Sequence, residues 1–318
     1  MRRTIVASAA ILATAFLAQP ARAGTKTLLA IGDSVAFGET TFTANPSNGD
    51  RGFVADYANN MASMAGGSRP IVTNLAIDGE TSSSFLTGSG RVLSVPGTTD
   101  STVQSWNTNY ASNPSITQNQ AFQQAITAAK AAGNDVATVT ISLGANDLFK
   151  LVANPAFQSG TPAVQQQMLN STLNQIGSTY AVLLAEVHTL APNAKVFAVG
   201  TYNPFPADPT NPLNAFAKQA ILGLDATVKS VAGSWGATYV DTYTPFLGNE
   251  AKYTYMNVVP GDVHPNAIGY QAISDAIAGA SAIATANAVP EPTTFAVLGL
   301  GFAGLVAGAR RRSRRAVA

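Results

Sequence analysis

Cysteine is absent from the 318 residues, charged side chains make up only 11% of them, and the formal net charge is +1. The first absence excludes a disulfide framework, so the fold must stand on its core alone. The second excludes the basic field that nucleic-acid binding needs, because phosphate neutralisation requires clustered Lys and Arg. Carboxylates such as Asp225, Asp241 and Asp275 show no metal-ligand spacing, and no internal repeat or linker divides the central region. What the chain does have is apolar surface. Hydrophobic residues amount to 46%, enough for a substantial core, while Ser, Thr, Asn and Gln in the loops make the polar exterior. The length fits one large domain or two small ones.

Both ends read as addresses. Met1-Arg2-Arg3 is a short positive region, TIVASAAILATAFLAQP is an apolar run, and Ala21-Arg22-Ala23 is a small-x-small cleavage pattern before Gly24. A membrane-anchoring helix is the alternative, but the run is short, so residues 1–23 are read as a removed secretory signal. At the other end, Val289-Pro290-Glu291-Pro292 precedes TTFAVLGLGFAGLVAGA (293–309) and then RRRSRR. The apolar stretch stands near the lower limit for a spanning helix, roughly 17 residues, and the arginines behind it would stay cytoplasmic. This order resembles the PEP-CTERM sorting signal of Gram-negative bacteria. The resemblance implies transient membrane contact, cutting by an exosortase, and release to the cell surface or extracellular matrix. An ordinary terminal anchor helix is the alternative. The resulting division is 1–23 signal, 24–286 globular domain and 287–318 sorting signal.

Between the ends, strand-like and helix-like segments alternate. TLLAIGDS (27–34), IVTNLAID (71–78), VATVTISLG (136–144), KVFAVGTY (195–202) and ATYVDTY (237–243) are apolar runs of strand length. Helical stretches lie between them at 52–66, 120–133, 163–190 and 213–236, several stopped by Gly or Pro-Asn, with a last one after His264. The alternation predicts a parallel sheet with helices on both faces. Residues 80–119 are too long for a structureless connection. They are expected to form a lid or rim beside the site, or a disordered surface loop. Phe85, Trp106 and Tyr110 within them are read as anchors to the body, with an apolar or sugar-stacking rim as the other possibility.

In a parallel sheet the strand ends share one edge, and chemistry-bearing residues stand there. Gly32-Asp33-Ser34 follow the first strand, Asp78-Gly79 the second, Gly144-Ala145-Asn146-Asp147 the third, and His264 precedes the last helix. A serine near a histidine base, with backbone N–H groups and an amide close by, is equipment for acyl transfer. Singly, Ser34 could be a helix N-cap, Gly79 a loop glycine and Asn146-Asp147 a helix start. His188, near a helix end, is read as structural. Asp147 is expected to hold the first-strand loop by hydrogen bonds.

IGDSVAFGE (31–39), NLAIDGETS (74–82), SLGANDL (142–148) and VHPN (263–266) resemble, in order, the four blocks of the GDSL or SGNH hydrolase family. The resemblance implies a flavodoxin-like, three-layer α/β/α sandwich and cleavage of carboxylic esters without metal or cofactor. It implies Ser34 as nucleophile and His264 as general base. The Ser34 and Gly79 N–H groups and the Asn146 amide would form the oxyanion hole, Gly79 letting the backbone come close to substrate. One departure stands out. The family pattern is Asp-x-x-His, whereas here Gly261 stands three residues back and Asp262 two. Three readings follow: Asp262 orients the ring, a backbone carbonyl such as that of Gly261 does so, or the site is inactive and the chain is a surface or matrix binding protein. The expected activity is hydrolysis of short acyl or acetyl esters, on a small molecule or a polysaccharide, with a long-chain lipase as the alternative.

Overall fold

A computed structural model describes residues 25–40, 46–65, 67–93, 97–205 and 212–287. The expected secretory signal (1–23) and the apolar run 293–309 lie outside the described residues. Five strands, β1 (Lys26–Gly32), β2 (Ile71–Asn74), β3 (Asp135–Ser142), β4 (Lys195–Val199) and β5 (Thr238–Val240), form one parallel sheet in the order β2-β1-β3-β4-β5. This is the doubly wound order of flavodoxin-like folds, with its switch point between β1 and β3. The strands are shorter than the apolar runs that predict them. Beyond Asn74 the chain keeps only one-sided bonds to β1, Leu75 N–H to Ala30 and Ile77 N–H to Gly32, and it turns away to form the site.

β1 is buried on both faces, which is why its sequence is continuously apolar rather than alternating. Leu28 and Ala30 enter one core with α1 (Ser34–Phe37), α2 (Gly52–Ala65) and the last helix; Leu29 and Ile31 enter the other. That second core is covered by α3 (Ser82–Thr87), α5 (Gln118–Ala131), α8 (Pro162–Leu190) and α9 (Pro212–Ser234). Each such Leu or Ile is worth about 1.5–3 kcal/mol on burial. Short helices fill the strand–helix connections: α4 (Asp100–Ser105), α6 (Ala145–Val152), α7 (Pro155–Gln158), α10 (Tyr243–Phe246) and α11 (Glu250–Tyr253). The final helix, α12 (Ala267–Asn287), packs on α2.

The described residues of segment 80–119 correct the expectation of a lid or a disordered loop. They carry α3, α4 and a 3₁₀ turn at Thr108–Tyr110. Phe85, Trp106 and Tyr110 are buried in the main core, and Tyr110 Oη donates to the Leu75 carbonyl at 2.7 Å. The Ser and Thr residues that looked like loop composition are helix caps. Thr81 and Ser84 form a capping box, Thr99 caps α4, and Thr117 and Gln120 form a second box.

Candidate active site

The β1 strand ends at Gly32, whose φ of +154° and close packing admit no side chain: a Cβ there would lie 2.4 Å from the Ser142 carbonyl oxygen. That tight junction delivers the chain straight into α1. The N-cap is Asp33, whose carboxylate accepts the Val35 N–H at 3.0 Å. Ser34 is therefore the first helical residue, and the capping task falls to its neighbour. Burial pushes the Asp33 carboxyl up to about 7, against the opposing pull of the Val35 N–H and of His264. Ser34 is buried but for 7% of its surface.

The turn Gly261-Asp262-Val263-His264 comes from the far end of the chain. Gly261 takes φ +87°, and Asp262 folds back so that one oxygen, Oδ1, accepts two bonds from His264. The backbone N–H donates at 3.0 Å and Nδ1–H at 2.7 Å. Asp262 is fully buried and His264 is 6% exposed. A two-residue offset thus brings a carboxylate onto the ring, through an Asx-type turn. The backbone around the histidine is pinned as well: Tyr202 Oη donates to the Val263 carbonyl at 2.8 Å, and the Tyr255 N–H to the His264 carbonyl at 3.0 Å. Asn266 then caps α12 through the Ile268 and Gly269 N–H groups.

Burial alone would lower the His264 pKa. The Asp262 hydrogen bond and the charges of Asp262, Asp78 and Glu39 outweigh it, and the net direction is upward from the ordinary imidazole range. The charge of His264 acts in turn on Asp33 and Asp78, lowering both carboxyls against the larger effect of burial. Burial raises the Asp78 carboxyl, while His264 and the Gly79 N–H act in the opposite direction.

Gly79 has φ +70°, and a Cβ on it would sit 2.1 Å from the Val92 carbonyl oxygen. The close approach of Val92 by itself requires a glycine at this position. Asn146, the second residue of α6, is buried; its Nδ2 donates one N–H to the Glu80 carbonyl at 3.1 Å, and the amide has a second to give. Asp147 does not hold the first-strand loop as expected. Its carboxylate accepts the Ser82 N–H at 2.8 Å and the Ser82 hydroxyl at 2.6 Å, fixing α3 to α6. His188 lies apart from the site, exposed and packed near Trp235 at 6.4 Å between ring centroids. Among the described residues, no three His, Asp or Glu side chains group as a metal site would.

Sequence reasoning missed Glu80, Arg91 and Gln118. All three are buried polar residues, bonded to one another and, through Gln118 and Glu80, to Gly32 and Asn146. Nothing local marks them, because their partners are far away in sequence.

Residues 30–272 match the GDSL-like Lipase/Acylhydrolase family, and residues 288–312 match the PEP-CTERM protein-sorting motif. No curated protein matches the chain in sequence. Among solved structures it is similar to the lipase Lip_vut3 from a goat rumen metagenome, with 19% identity, a TM-score of 0.55, and coverage of 80% of this chain and 97% of that one. It is also similar to LAE5, an alpha/beta hydrolase enzyme from the metagenome of Lake Arreo, Spain, with 16% identity, a TM-score of 0.50, and coverage of 82% and 96%. These likenesses show the fold, and the sorting motif implies exosortase processing, export and surface anchoring.

Proposed function

The chain belongs to the GDSL-like lipase/acylhydrolase family, a family of carboxylic-ester hydrolases, and from that premise we propose a serine esterase mechanism run by Ser34, His264 and Asp262. His264 Nε2 takes the Ser34 proton as the hydroxyl attacks the ester carbonyl. The imidazolium that forms is held by Asp262. The developing oxyanion is met by the Ser34 and Gly79 N–H groups and the free N–H of Asn146. Collapse of the tetrahedral species expels the alcohol, which takes its proton from His264 and leaves an acyl-Ser34. Water then attacks this ester with His264 again as base, releasing the acid and restoring the serine. The observation that carries the reading is the 2.7 Å contact between buried Asp262 and His264 Nδ1, because it supplies orientation and countercharge in one group. An inactive binding module has no need of such a pair.

The substrate we favour is a short acyl group, such as acetyl, on a small alcohol or a polysaccharide at the surface of a Gram-negative cell. Export and anchoring bring the protein to such polymers, and the aromatic residues of segment 80–119 are spent in the core rather than in an acyl channel. In this reading residues 1–23 are the removed signal, 24–286 the hydrolase domain and 287–318 the sorting segment. One observation favours the long-chain alternative: Val258 and Val259, in the turn leading to His264, are 76% and 36% exposed. Rates on p-nitrophenyl acetate, butyrate and octanoate, beside Ser34→Ala, test both. Turnover that disappears in the variant and falls with chain length is expected. A preference for octanoate would support the lipase, and no serine-dependent turnover would sink the mechanism.

A further inference from the structure

Beneath the groups that would touch substrate lies a second polar cluster. Gln118, the first residue of α5, is fully buried although it is an amide. Both ends of its carboxamide are engaged by one backbone unit: the Gly32 N–H donates to Oε1 at 2.7 Å, and Nε2 donates to the Gly32 carbonyl at 2.9 Å. The side chain thus stands where the peptide of a neighbouring strand would stand, and it closes the ladder two residues before Ser34. Nε2 also donates to Glu80 Oε2 at 2.9 Å. The same oxygen accepts Nε and Nη2 of Arg91, each at 3.3 Å, in an ion pair whose side chains are both fully buried.

Glu80 joins these contacts to the oxyanion side. It follows Gly79 directly, and its carbonyl accepts the Asn146 amide at 3.1 Å. Arg91 in turn donates Nη1 to the Gly88 carbonyl at 3.1 Å, at the end of α3. A buried ion pair is a poor source of stability compared with apolar packing of the same volume. Its value here is geometric, because one connected set of bonds joins the Gly32 backbone, the Glu80 side chain and carbonyl, and the Asn146 side chain, one partner from each of the three strand-end loops that carry Ser34, Gly79 and Asn146.

We propose that Gln118 is a positioning residue for ester hydrolysis: braced by Glu80 and Arg91, its carboxamide fixes the Gly32–Ser34 backbone relative to the Gly79 and Asn146 donors. The proposal rests on the esterase reading above. An error of about 1 Å in such a constellation can cost about 10²-fold in rate, so partial loosening is expected to show in kcat rather than in KM.

The test uses full-length protein and the variants Gln118→Met and Glu80→Gln. Exhaustive labelling with a serine-directed phosphonate counts competent sites, and p-nitrophenyl acetate kinetics are divided by that count. For Gln118→Met, kcat per labelled site should fall about tenfold or more, KM should stay within about threefold, and the phosphonate reaction should slow in parallel. Glu80→Gln, which keeps an acceptor but loses its charge, should move the same quantities by about threefold. Unchanged kcat per labelled site in a folded variant, with loss only in melting temperature or site count, would overturn the proposal. If Gln118→Met does not fold, Glu80→Gln decides by the same criterion. Wild-type protein that neither labels nor turns over would overturn the esterase reading and this one with it. Active wild type with indifferent variants removes the positioning role alone.

Discussion

Replacing Asp262 by Asn should preserve the turn and remove only the charge. The amide oxygen can still accept the His264 backbone N–H and the Nδ1–H that Oδ1 accepts at 3.0 and 2.7 Å. What disappears is the countercharge to the imidazolium formed during attack. At 2.7 Å and an effective dielectric of about 20, that attraction is about 6 kcal/mol. With one decade of rate per about 1.4 kcal/mol, the loss is about 10⁴ in kcat, similar to the about 10⁴ seen when the triad aspartate of a serine protease is made an amide. The pH profile supplies an independent check. His264 works as a base in its neutral form, and its pKa is raised, so kcat/KM of the wild type should climb with pH through a midpoint above 6.5. Asp262 is the largest of the groups holding that pKa up against burial. In the variant the remaining activity should therefore titrate at lower pH. The assay is a kcat/KM profile on p-nitrophenyl acetate from pH 5 to 9 for both proteins. A loss under tenfold, or a midpoint that does not move, would refute the assignment and return the ring to a backbone carbonyl.

Three further outcomes follow from the geometry. Asn146→Ala should lower kcat by about 10²–10³ with little change in KM, as removal of one oxyanion donor does; steady-state kinetics check it. Gly79→Ala combines a φ of +70° with a Cβ only 2.1 Å from the Val92 carbonyl, so chemical denaturation should show a loss above about 1 kcal/mol together with reduced activity. Phe85→Ala removes a fully buried ring from the main core and should cost about 3–5 kcal/mol in the same denaturation experiment. A loss under about 1 kcal/mol there would return segment 80–119 to the status of a loosely attached loop.

The parallel sheet was legible because β1 is apolar on both faces and β3, buried on both, carries after Asp135 only small hydroxyls among its apolar residues, which writes the strands into the sequence. The positions of Ser34, Gly79 and Asn146 were legible for a related reason: each stands within a few residues of a strand end. Segment 80–119 was harder to read. Its helices α3 and α4 have six residues each, too few for a 3.6-residue period to repeat, and their caps are the same Ser and Thr that mark loops. The Asp262 contact depended on the exact path of a turn centred on a left-handed glycine, Gly261. The Gln118–Glu80–Arg91 cluster depended on pairings across 38 and 11 positions. Side-chain hydrogen bonds of that kind carry no periodicity. Asp147 was misplaced for the same reason, its partner Ser82 lying 65 residues away.

The helix α12 begins two residues after Asn266's neighbour Pro265 and ends at Asn287, immediately before the sorting motif at 288–312. Its 21 residues amount to about 31 Å at a rise of about 1.5 Å per residue. It therefore runs from the His264 turn at one end to the sorting motif at the other. On the esterase reading proposed above, a tether at that motif would be separated from the His264 turn by the length of this helix, about three nanometres.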